Sequence, residues 1–251
     1  FQNLPSLKVL YANNNSLVDI KDYTFFAMTG LEVLHLYNND ISILSANSFK
    51  GLQNLTDLNL GGNKLTAIPY GVFFPIPNLK VLFLDRNALP SFPSASAVGL
   101  SNLNTINLAN NMIDSFAPET FSNMINLQNL DLSHNRIAKV GRGLVSNLVF
   151  LRFDHNAITE IEDRAFENTP NVRNLDLSSN NISAVEQSTF IGLGKLQDLR
   201  LNNNNMTEIS PRSLLHLHEL RRLFVYNNKI TLIGASSLDE LRLLEEADFS
   251  F

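Results

Sequence analysis

A single pattern of leucines separated by polar residues recurs along the chain. It is clearest at residues 127–137, LQNLDLSHNRI, which reads L-x-x-L-x-L-x-x-N-x-I. Leu130 and Leu132 are two residues apart, which in a strand places both side chains on one face and the polar residues between them on the other. A strand this short cannot bury its leucines alone. The pattern therefore predicts that successive copies stack and form one continuous core.

An asparagine marks each copy of the pattern. The markers are Asn15, Asn39, Asn63, Asn87, Asn111, Asn135, Asn156, Asn180, Asn204 and Asn228. The step is 24 residues except between Asn135 and Asn156, where it is 21. Because a buried amide needs hydrogen-bond partners, the markers are predicted to form a ladder of side chains that bind backbone groups at the turns after the strands.

The spacing predicts one elongated solenoid over residues 1–251. Its ten repeats start near residues 7, 31, 55, 79, 103, 127, 148, 172, 196 and 220, and partial repeats stand at both ends. Solenoids need polar capping units over their end repeats, and neither end of this sequence shows one. We therefore expect the sequence to be an internal part of a longer protein.

A column of phenylalanines occupies the second half of most copies. It comprises Phe25, Phe49, Phe73, Phe121, Phe166 and Phe190, with Ala97, Leu214 and Leu238 in the remaining 24-residue copies. The strand pattern, the asparagine and this phenylalanine together resemble the leucine-rich repeat family, in particular its "typical" animal extracellular class, which includes Toll-like receptors, chaoptin and Slit. The resemblance implies an α/β solenoid: a horseshoe with a parallel sheet on the concave face and short helical or extended segments on the convex side.

The fourth copy departs from the others on its convex side. The segment after Asn87 contains Pro90 and Pro93, and Ala97 replaces the phenylalanine. Because proline disfavours a continuous helix, this segment is predicted to be extended rather than helical.

Composition and charge remove several classes of function. The formal net charge is -5, so the chain has no basic field that would attract nucleic acid, and no nucleic-acid partner is expected. No run of 18 apolar residues occurs, so no direct membrane insertion is expected of this segment. The chain has no cysteine, whereas the resembled extracellular class normally carries disulfide-bonded caps.

No catalytic, cofactor or metal site is predicted. Asp131, Ser133 and His134 have the residue types of a hydrolase triad, but they are consecutive members of the repeat consensus without a nucleophile elbow. His216 and His218 lack further ligands for zinc and are interpreted as a surface pair. The sequence therefore indicates a protein that is not an enzyme and that binds no cofactor.

Two histidines stand at equivalent positions in adjacent copies. His134 and His155 should be close neighbours at the strand ends, with Asp154 beside them. Since histidine titrates near neutral pH, an acid-sensitive contact is one interpretation and ordinary surface packing is the other.

Candidate partner-binding residues are aromatic and arginine side chains on the predicted concave face. They are Tyr11, His35, Tyr37, Phe83, Arg152, Arg200, Arg222, Phe224 and Tyr226. Arginine beside aromatic residues is a usual hot-spot composition. Two alternatives remain open: the aromatic residues pack on each other, or Asp131, Arg152, Asp176 and Arg200 form a self-neutralising ladder worth at most about 1 kcal/mol per pair.

Four sequons mark candidate N-glycosylation sites at Asn14, Asn54, Asn181 and Asn205. A chain this rich in asparagine produces about four by chance, so the motif alone decides little. Asn54, Asn181 and Asn205 are predicted to lie away from the concave face. A glycan on Asn14 would crowd Tyr11 and Tyr37 and so argues against binding there.

The sequence favours a non-catalytic recognition ectodomain of the adhesion, receptor or innate-immunity type. It would bind a protein ligand or co-receptor through its concave or lateral surface, outside the cell or at the cell surface. A structural alternative is an extracellular-matrix or assembly component whose repeats act as a spacer and self-associate. A cytoplasmic scaffold is a second, less favoured alternative.

Overall fold

The computed structural model describes residues 4–250, so residues 1–3 and 251 of the predicted solenoid lie outside the described residues. The chain divides into two compact units between Leu127 and Gln128. Each unit is a parallel-strand solenoid, which confirms the predicted fold class. In both units the three-residue strands fall where the leucine pattern places them.

Short strands in the first unit line up side by side in parallel. The three-residue strands form one run of neighbours in chain order, and the two-residue strands pair with each other. Neighbours pair at equivalent repeat positions, so that Leu34 faces Leu58 and Leu58 faces Leu82. The strands are β1 (Val9–Tyr11), β2 (Asp19–Ile20), β3 (Val33–His35), β4 (Ile43–Leu44), β5 (Asp57–Asn59), β6 (Val81–Phe83) and β7 (Thr105–Asn107).

The second unit repeats this arrangement. Its strands are β8 (Asn129–Asp131), β9 (Lys139–Val140), β10 (Phe150–Arg152), β11 (Glu160–Ile161), β12 (Asn174–Asp176), β13 (Asp198–Arg200), β14 (Glu208–Ile209), β15 (Arg222–Phe224), β16 (Leu232–Ile233) and β17 (Glu246–Asp248). β8, β10, β12, β13, β15 and β17 are parallel neighbours in that order. The 21-residue copy keeps the register, because Leu130 still faces Leu151.

Leucines from the strands and phenylalanines from the return segments form the core. The central residues of most three-residue strands are almost fully buried, as at Leu58 and Leu175. The six phenylalanines of the column are each at most 2% exposed. Phe49 and Phe73 stack with centroids 6.3 Å apart and ring planes 9° apart. Each buried leucine or phenylalanine contributes about 1.5–3 kcal/mol relative to an exposed one, so stacking of copies stabilises the fold.

Asparagine markers bind the backbone of their own copy and of the preceding one. The Asn63 amide donates to the carbonyls of Leu60 (2.9 Å) and Leu36 (3.0 Å), and its oxygen accepts from the Ile41 N–H (3.0 Å). Asn180, Asn204 and Asn228 repeat this geometry in the second unit. The exposed Asn15 differs, since its amide donates only within its own copy, to Ala12 and Asn13.

Return segments between the strands are mostly turns, not helices. In the first such segment the Met28 N–H donates to the Phe25 carbonyl (2.9 Å), and the Leu31 N–H donates to the Met28 carbonyl (3.0 Å). Three-residue hydrogen-bond steps of this kind form 3-10-type turns, which are tighter than the four-residue steps of an α-helix.

The prediction of an extended segment in the fourth copy was wrong at Ser94–Ala97, whereas Pro93 and Val98 on either side have extended backbone conformations. Ser94–Ala97 form a 3-10 helix that follows Pro93, whose φ is -68°. Proline at this position does not disrupt the helix, because no helical hydrogen bond requires its missing N–H. Ala97 is fully buried at the position that phenylalanine occupies in other copies.

The residue before each marker adopts a left-handed conformation. Asn38 has φ 52°, Asn110 has φ 55° and Asn227 has φ 53°, and His134 and His155 occupy the same position with φ 52° and 54°. Asparagine is favoured there because its short polar side chain tolerates positive φ.

Candidate functional site

The register of the second unit assembles two columns of side chains on the face of its sheet that lies opposite the buried leucines. The third residues of adjacent strands are neighbours, and so are the first residues. The column of third residues is Asp131, Arg152, Asp176, Arg200, Phe224 and Asp248, and the column of first residues is Asn129, Phe150, Asn174, Asp198, Arg222 and Glu246. We call these two columns the charged face.

Arg152 is held by two carboxylates. Its Nε and Nη2 donate to Asp154 Oδ1 (3.0 Å) and Oδ2 (3.1 Å), and its Nη1 donates to Asp131 Oδ2 (3.3 Å). Burial lowers the pKa of Arg152, but the hydrogen bond to Asp154 and the neighbouring negative charges outweigh it and raise the pKa above its ordinary value. Only 4% of the Asp154 side chain is exposed, so this bidentate pair fixes the guanidinium.

Arg222 is paired in the other column. Its Nη2 donates to Asp198 Oδ2 (2.9 Å), its Nε donates to Oδ1 of the same carboxylate, and Asn174 Nδ2 also donates to Oδ2 (2.8 Å). The hydrogen bond to Asp198 raises the pKa of Arg222 above its ordinary value. The pairs Arg152–Asp131 and Arg222–Asp198 therefore neutralise part of the charged face.

Arg200 differs from both. Its Cζ lies 5.2 Å from the centroid of the Phe224 ring. Among residues 4–250 no carboxylate lies within ion-pair distance of this exposed guanidinium. Its neighbour Asp176 instead accepts hydrogen bonds from the Ser178 N–H (3.0 Å) and hydroxyl (2.6 Å). Arg200 is thus held by a ring and is available to an external anion.

A shallow depression lies in this face and includes a residue that the sequence analysis missed. It is lined by Phe150, Arg152, Asn174, Asp176, Arg200 and Arg222, among others. Phe150 is 49% exposed, which is high for a phenylalanine. The signal was present, because Phe150 stands two residues before Arg152 and must face the same way. The candidate Tyr226 is half-buried at the turn after β15.

The aromatic candidates of the first unit pack largely on each other. The His35 ring lies 5.1 Å from the Tyr11 ring and 6.0 Å from the Tyr37 ring, and His35 Nε2 lies 3.2 Å from Asp57 Oδ1. Tyr11 nevertheless remains 66% exposed. Phe83 is not part of this cluster, since Asn59 stands between it and His35 in the strand register.

Three of the four sequon asparagines are exposed, namely Asn14, Asn54 and Asn181, and Asn205 is half-buried. The Asn14 N–H donates to the Tyr37 carbonyl (3.0 Å), so a glycan on Asn14 would stand beside the first unit's aromatic cluster.

Asp131, Ser133 and His134 do not provide an accessible nucleophile. Ser133 is 2% exposed, and its backbone N–H donates to Asp131 Oδ1 (2.9 Å). His134 instead stacks on His155, with ring centroids 4.1 Å apart. The contact between these two histidines follows from their shared repeat position.

Exposed aromatic residues also stand on the return segments of the first unit. Tyr70 is 75% exposed and Phe74 is 68% exposed, and together with Ala46, Pro75 and Val98 they line a shallow apolar depression. The sequence analysis did not single out these residues. The repeat pattern does not reveal them, because on these segments it marks only the buried phenylalanine positions.

Comparison with known proteins decides the family. The leucine rich repeat model matches residues 5–65, 43–89, 77–137, 146–206, 170–230 and 195–246. The chain belongs to the leucine-rich repeat family. Leucine-rich repeat domains with the same fold occur among solved structures, whereas no curated protein sequence matches.

Several solved leucine-rich repeat structures resemble this chain. A TLR13–ssRNA13 complex matches with a TM-score of 0.84 and 26% identity over 94% of this chain, and an LRR protein of Leptospira interrogans matches with 0.82 and 30% over 98%. A Drosophila Toll–Spatzle complex matches with 0.58 and 21% over 90%, which shows the fold alone. This chain spans 38% of the TLR13 chain, 61% of the Leptospira protein and 37% of Toll.

Within the part of the chain that the structure describes, no helix has the length and apolar character needed to cross a membrane. The 3-10 helix Ser94–Ala97 has four residues.

Proposed function

We propose that this leucine-rich repeat chain is a non-catalytic recognition domain that binds a protein through the charged face of its second unit. The similarity to Toll-type receptor domains supports a recognition role at the level of the family and the fold. The location of the contact rests on the side chains described above.

The observation that carries the proposal is the state of Arg200. Arg152 and Arg222 are bound by buried or half-buried carboxylates, and Arg200 is stacked on Phe224 instead. A guanidinium stacked on a ring is already ordered, so a partner that binds it loses less side-chain entropy. Arginine and phenylalanine at the centre of a surface are also typical hot-spot residues.

The chemistry of the face indicates the partner's surface. Arg200 offers a planar pair of donors that suits a carboxylate. Phe150 and Phe224 add apolar surface on either side, and Asp176 adds a negative charge nearby. We therefore propose a partner that presents an aspartate or glutamate beside an apolar side chain.

A protein screen followed by matched variants tests the proposal. The chain would be screened against secreted and cell-surface proteins of its source, and each binder measured by surface plasmon resonance with Arg200→Ala, Phe224→Ala and Arg136→Ala. We expect losses of about tenfold or more for the first two, which corresponds to at least about 1.4 kcal/mol. Arg136 is exposed beyond the strand and serves as the control, with unchanged affinity expected.

Two outcomes would contradict the proposal. A binder whose affinity is the same with Arg200→Ala and Phe224→Ala uses another surface. Single-stranded RNA belongs in the same assay because one structural relative is an RNA complex. If no protein binds and RNA binds with an affinity that falls steeply with salt, the partner is a nucleic acid and the proposal of a protein partner is wrong.

We also propose an extracellular or cell-surface location in the secretory pathway. The exposed sequons at Asn54 and Asn181 support this location, because a glycan there would leave the charged face open. Intact mass before and after N-glycosidase treatment of protein from its native source tests it. Four unmodified asparagines would instead favour the cytoplasmic scaffold.

A second candidate function is assembly with further copies of this chain. The exposed apolar surface around Tyr70 and Phe74 favours it, because contiguous exposed apolar surface commonly marks an interface. Sedimentation velocity at increasing concentration would show an oligomer, and Tyr70→Ser with Phe74→Ser would return it to a monomer. A monomer at every concentration would exclude this role.

A further inference from the structure

We propose that His134 and His155 bind a late transition-metal ion such as Zn²⁺ through their imidazole nitrogens, with Asp154 as the positioning residue behind His155. This inference is independent of the partner-binding proposal. It adds a ligand that the recognition role does not require.

The repeat geometry brings the two histidines together. Both stand just before the asparagine marker of their copies, in the same left-handed conformation. Their rings are stacked, with centroids 4.1 Å apart and planes 15° apart, and both side chains are exposed to solvent. Two adjacent, solvent-accessible imidazoles are a common basis for binding zinc, copper or nickel.

Asp154 supplies the orientation that a metal-binding histidine needs. His155 Nδ1 lies 3.0 Å from Asp154 Oδ2. A carboxylate only accepts hydrogen bonds, so Nδ1 carries the proton in this contact and Nε2 is left with its lone pair. A ligating histidine usually donates its other N–H to a carboxylate, which fixes the ring and raises its basicity.

Arg152 in turn holds Asp154 in place. Its two hydrogen bonds of 3.0 and 3.1 Å occupy both carboxylate oxygens, and 4% of the Asp154 side chain is exposed. A buried carboxylate bound in this way cannot swing out to solvent. Asp154 is therefore better placed to orient His155 than to bind the metal directly.

The three side chains are close enough for the two histidines to reach one ion once their rings turn towards it. The ligand atoms of His134, Asp154 and His155 lie within 4.8 Å of one another. Zinc–nitrogen distances of about 2.0–2.1 Å place two ligand nitrogens of one tetrahedral ion about 3.4 Å apart. Stacked rings direct their nitrogen lone pairs nearly in parallel, so both rings must turn towards the ion, and their exposure to solvent permits this. The remaining coordination positions would be open to water or to a side chain of a partner.

His35 also contacts a carboxylate but has no second histidine beside it, and so it differs from His155. His35 Nε2 lies 3.2 Å from Asp57 Oδ1, but its ring neighbours are Tyr11 and Tyr37 rather than a second histidine. It therefore provides a matched control within the same chain.

Zn²⁺ titration by isothermal calorimetry tests the site, with Mg²⁺ as the control ion. The variants are His134→Asn, His155→Asn and His35→Asn. Asparagine already occupies the turn position of His134 and His155 in other copies, for example Asn38 and Asn110 with φ 52° and 55°, so both variants should fold. We expect one Zn²⁺ per chain for the parent and for His35→Asn, and no measurable binding for the other two.

Asp154→Asn separates the positioning role from ligation. Loss of an orienting carboxylate typically weakens metal binding roughly 10- to 100-fold without abolishing it. Circular dichroism of each variant would establish that it is folded. Equal Zn²⁺ affinity in the parent, His134→Asn and His155→Asn would overturn the proposal, and so would loss of binding in His35→Asn alone.

Discussion

The side-chain oxygen of Asn180 accepts a hydrogen bond of 3.0 Å from the backbone N–H of Ile158, which belongs to the preceding copy. The Asn180 amide donates in the same direction to the Phe153 carbonyl (2.9 Å) and within its own copy to the Leu177 carbonyl (3.1 Å). One buried side chain therefore joins two copies through two hydrogen bonds and is itself fixed by a third within its own copy. Stacking of copies thus depends on specific polar contacts as well as on apolar burial.

Asn180→Ala should lower the free energy of unfolding by about 2–4 kcal/mol. Each buried group that is left without a partner costs about 1–3 kcal/mol, and the fully buried Ile158 N–H has no water to replace the amide. Denaturant unfolding followed by circular dichroism measures the change. Asn15→Ala is the control, because Asn15 is exposed and bonds only within its own copy. Equal losses in the two variants would contradict the role of burial.

Ser48 and Ser213 occupy equivalent repeat positions, but within the described part of the chain only the Ser48 hydroxyl is hydrogen-bonded. The Ser48 hydroxyl donates to the Ile20 carbonyl (2.5 Å) and accepts from the Ser45 N–H (2.8 Å). The Ser213 hydroxyl is buried and has no partner among residues 4–250. Ser48→Ala should cost about 1–3 kcal/mol, whereas Ser213→Ala should be neutral or stabilise by up to about 1 kcal/mol.

The same unfolding measurement on both serine variants checks this contrast. Both substitutions remove one oxygen atom from a fully buried site, so loss of volume is matched between them. Destabilisation of Ser213→Ala as large as that of Ser48→Ala would show that packing rather than hydrogen bonding controls this position.

The contact between Arg200 and Phe224 should be measurable without any partner. A cation over an aromatic ring at an exposed site contributes about 0.5–1 kcal/mol. A double-mutant cycle with Arg200→Ala, Phe224→Ala and the double variant should give a coupling energy of that size in unfolding experiments. A coupling energy near zero would show that Arg200 is not held by the ring, which would weaken its assignment as an ordered hot spot.

The fold followed from the sequence because its repeat acts at every position. The spacing of Leu130 and Leu132 predicts a strand, and the 24-residue step predicts how neighbouring strands pair. Each copy therefore constrains the position of the next copy. The local exception was the segment at Pro93, where proline before the first helical residue permits a 3-10 helix that the pattern cannot distinguish from extended chain.

Candidate site residues were predicted less completely than the fold. The sequence identifies Arg152, Arg200 and Arg222 as residues that share a face, because the register is periodic. It does not show which guanidinium is paired. That outcome depends on single residues such as Asp154, two positions beyond Arg152 and buried at the turn, and Asn174, which orients Asp198.

Glu162 gives a pH-dependent prediction on the return side of the second unit. Lys139 Nζ lies 3.1 Å from Glu162 Oε1 and 2.9 Å from Glu160 Oε1. The hydrogen bond from Lys139 lowers the pKa of Glu162 below its ordinary value of 4.5, and slight burial opposes this only in part.

Because the folded pKa of Glu162 is lowered, the folded state binds its proton less readily than the unfolded state does. The stabilisation from Glu162 is therefore complete above pH 4.5 and is lost as the pH falls through the lowered value. Glu162→Gln should be less stable than the parent at pH 7 and equally stable in strong acid. Its loss of stability at pH 7 should be smaller than the losses at Asn180 and Ser48, because the Lys139–Glu162 pair is exposed and solvent screens it. Unfolding free energies of both proteins from pH 2 to pH 7 measure the difference. A gap that is constant across this range would show that the carboxylate charge is not its cause.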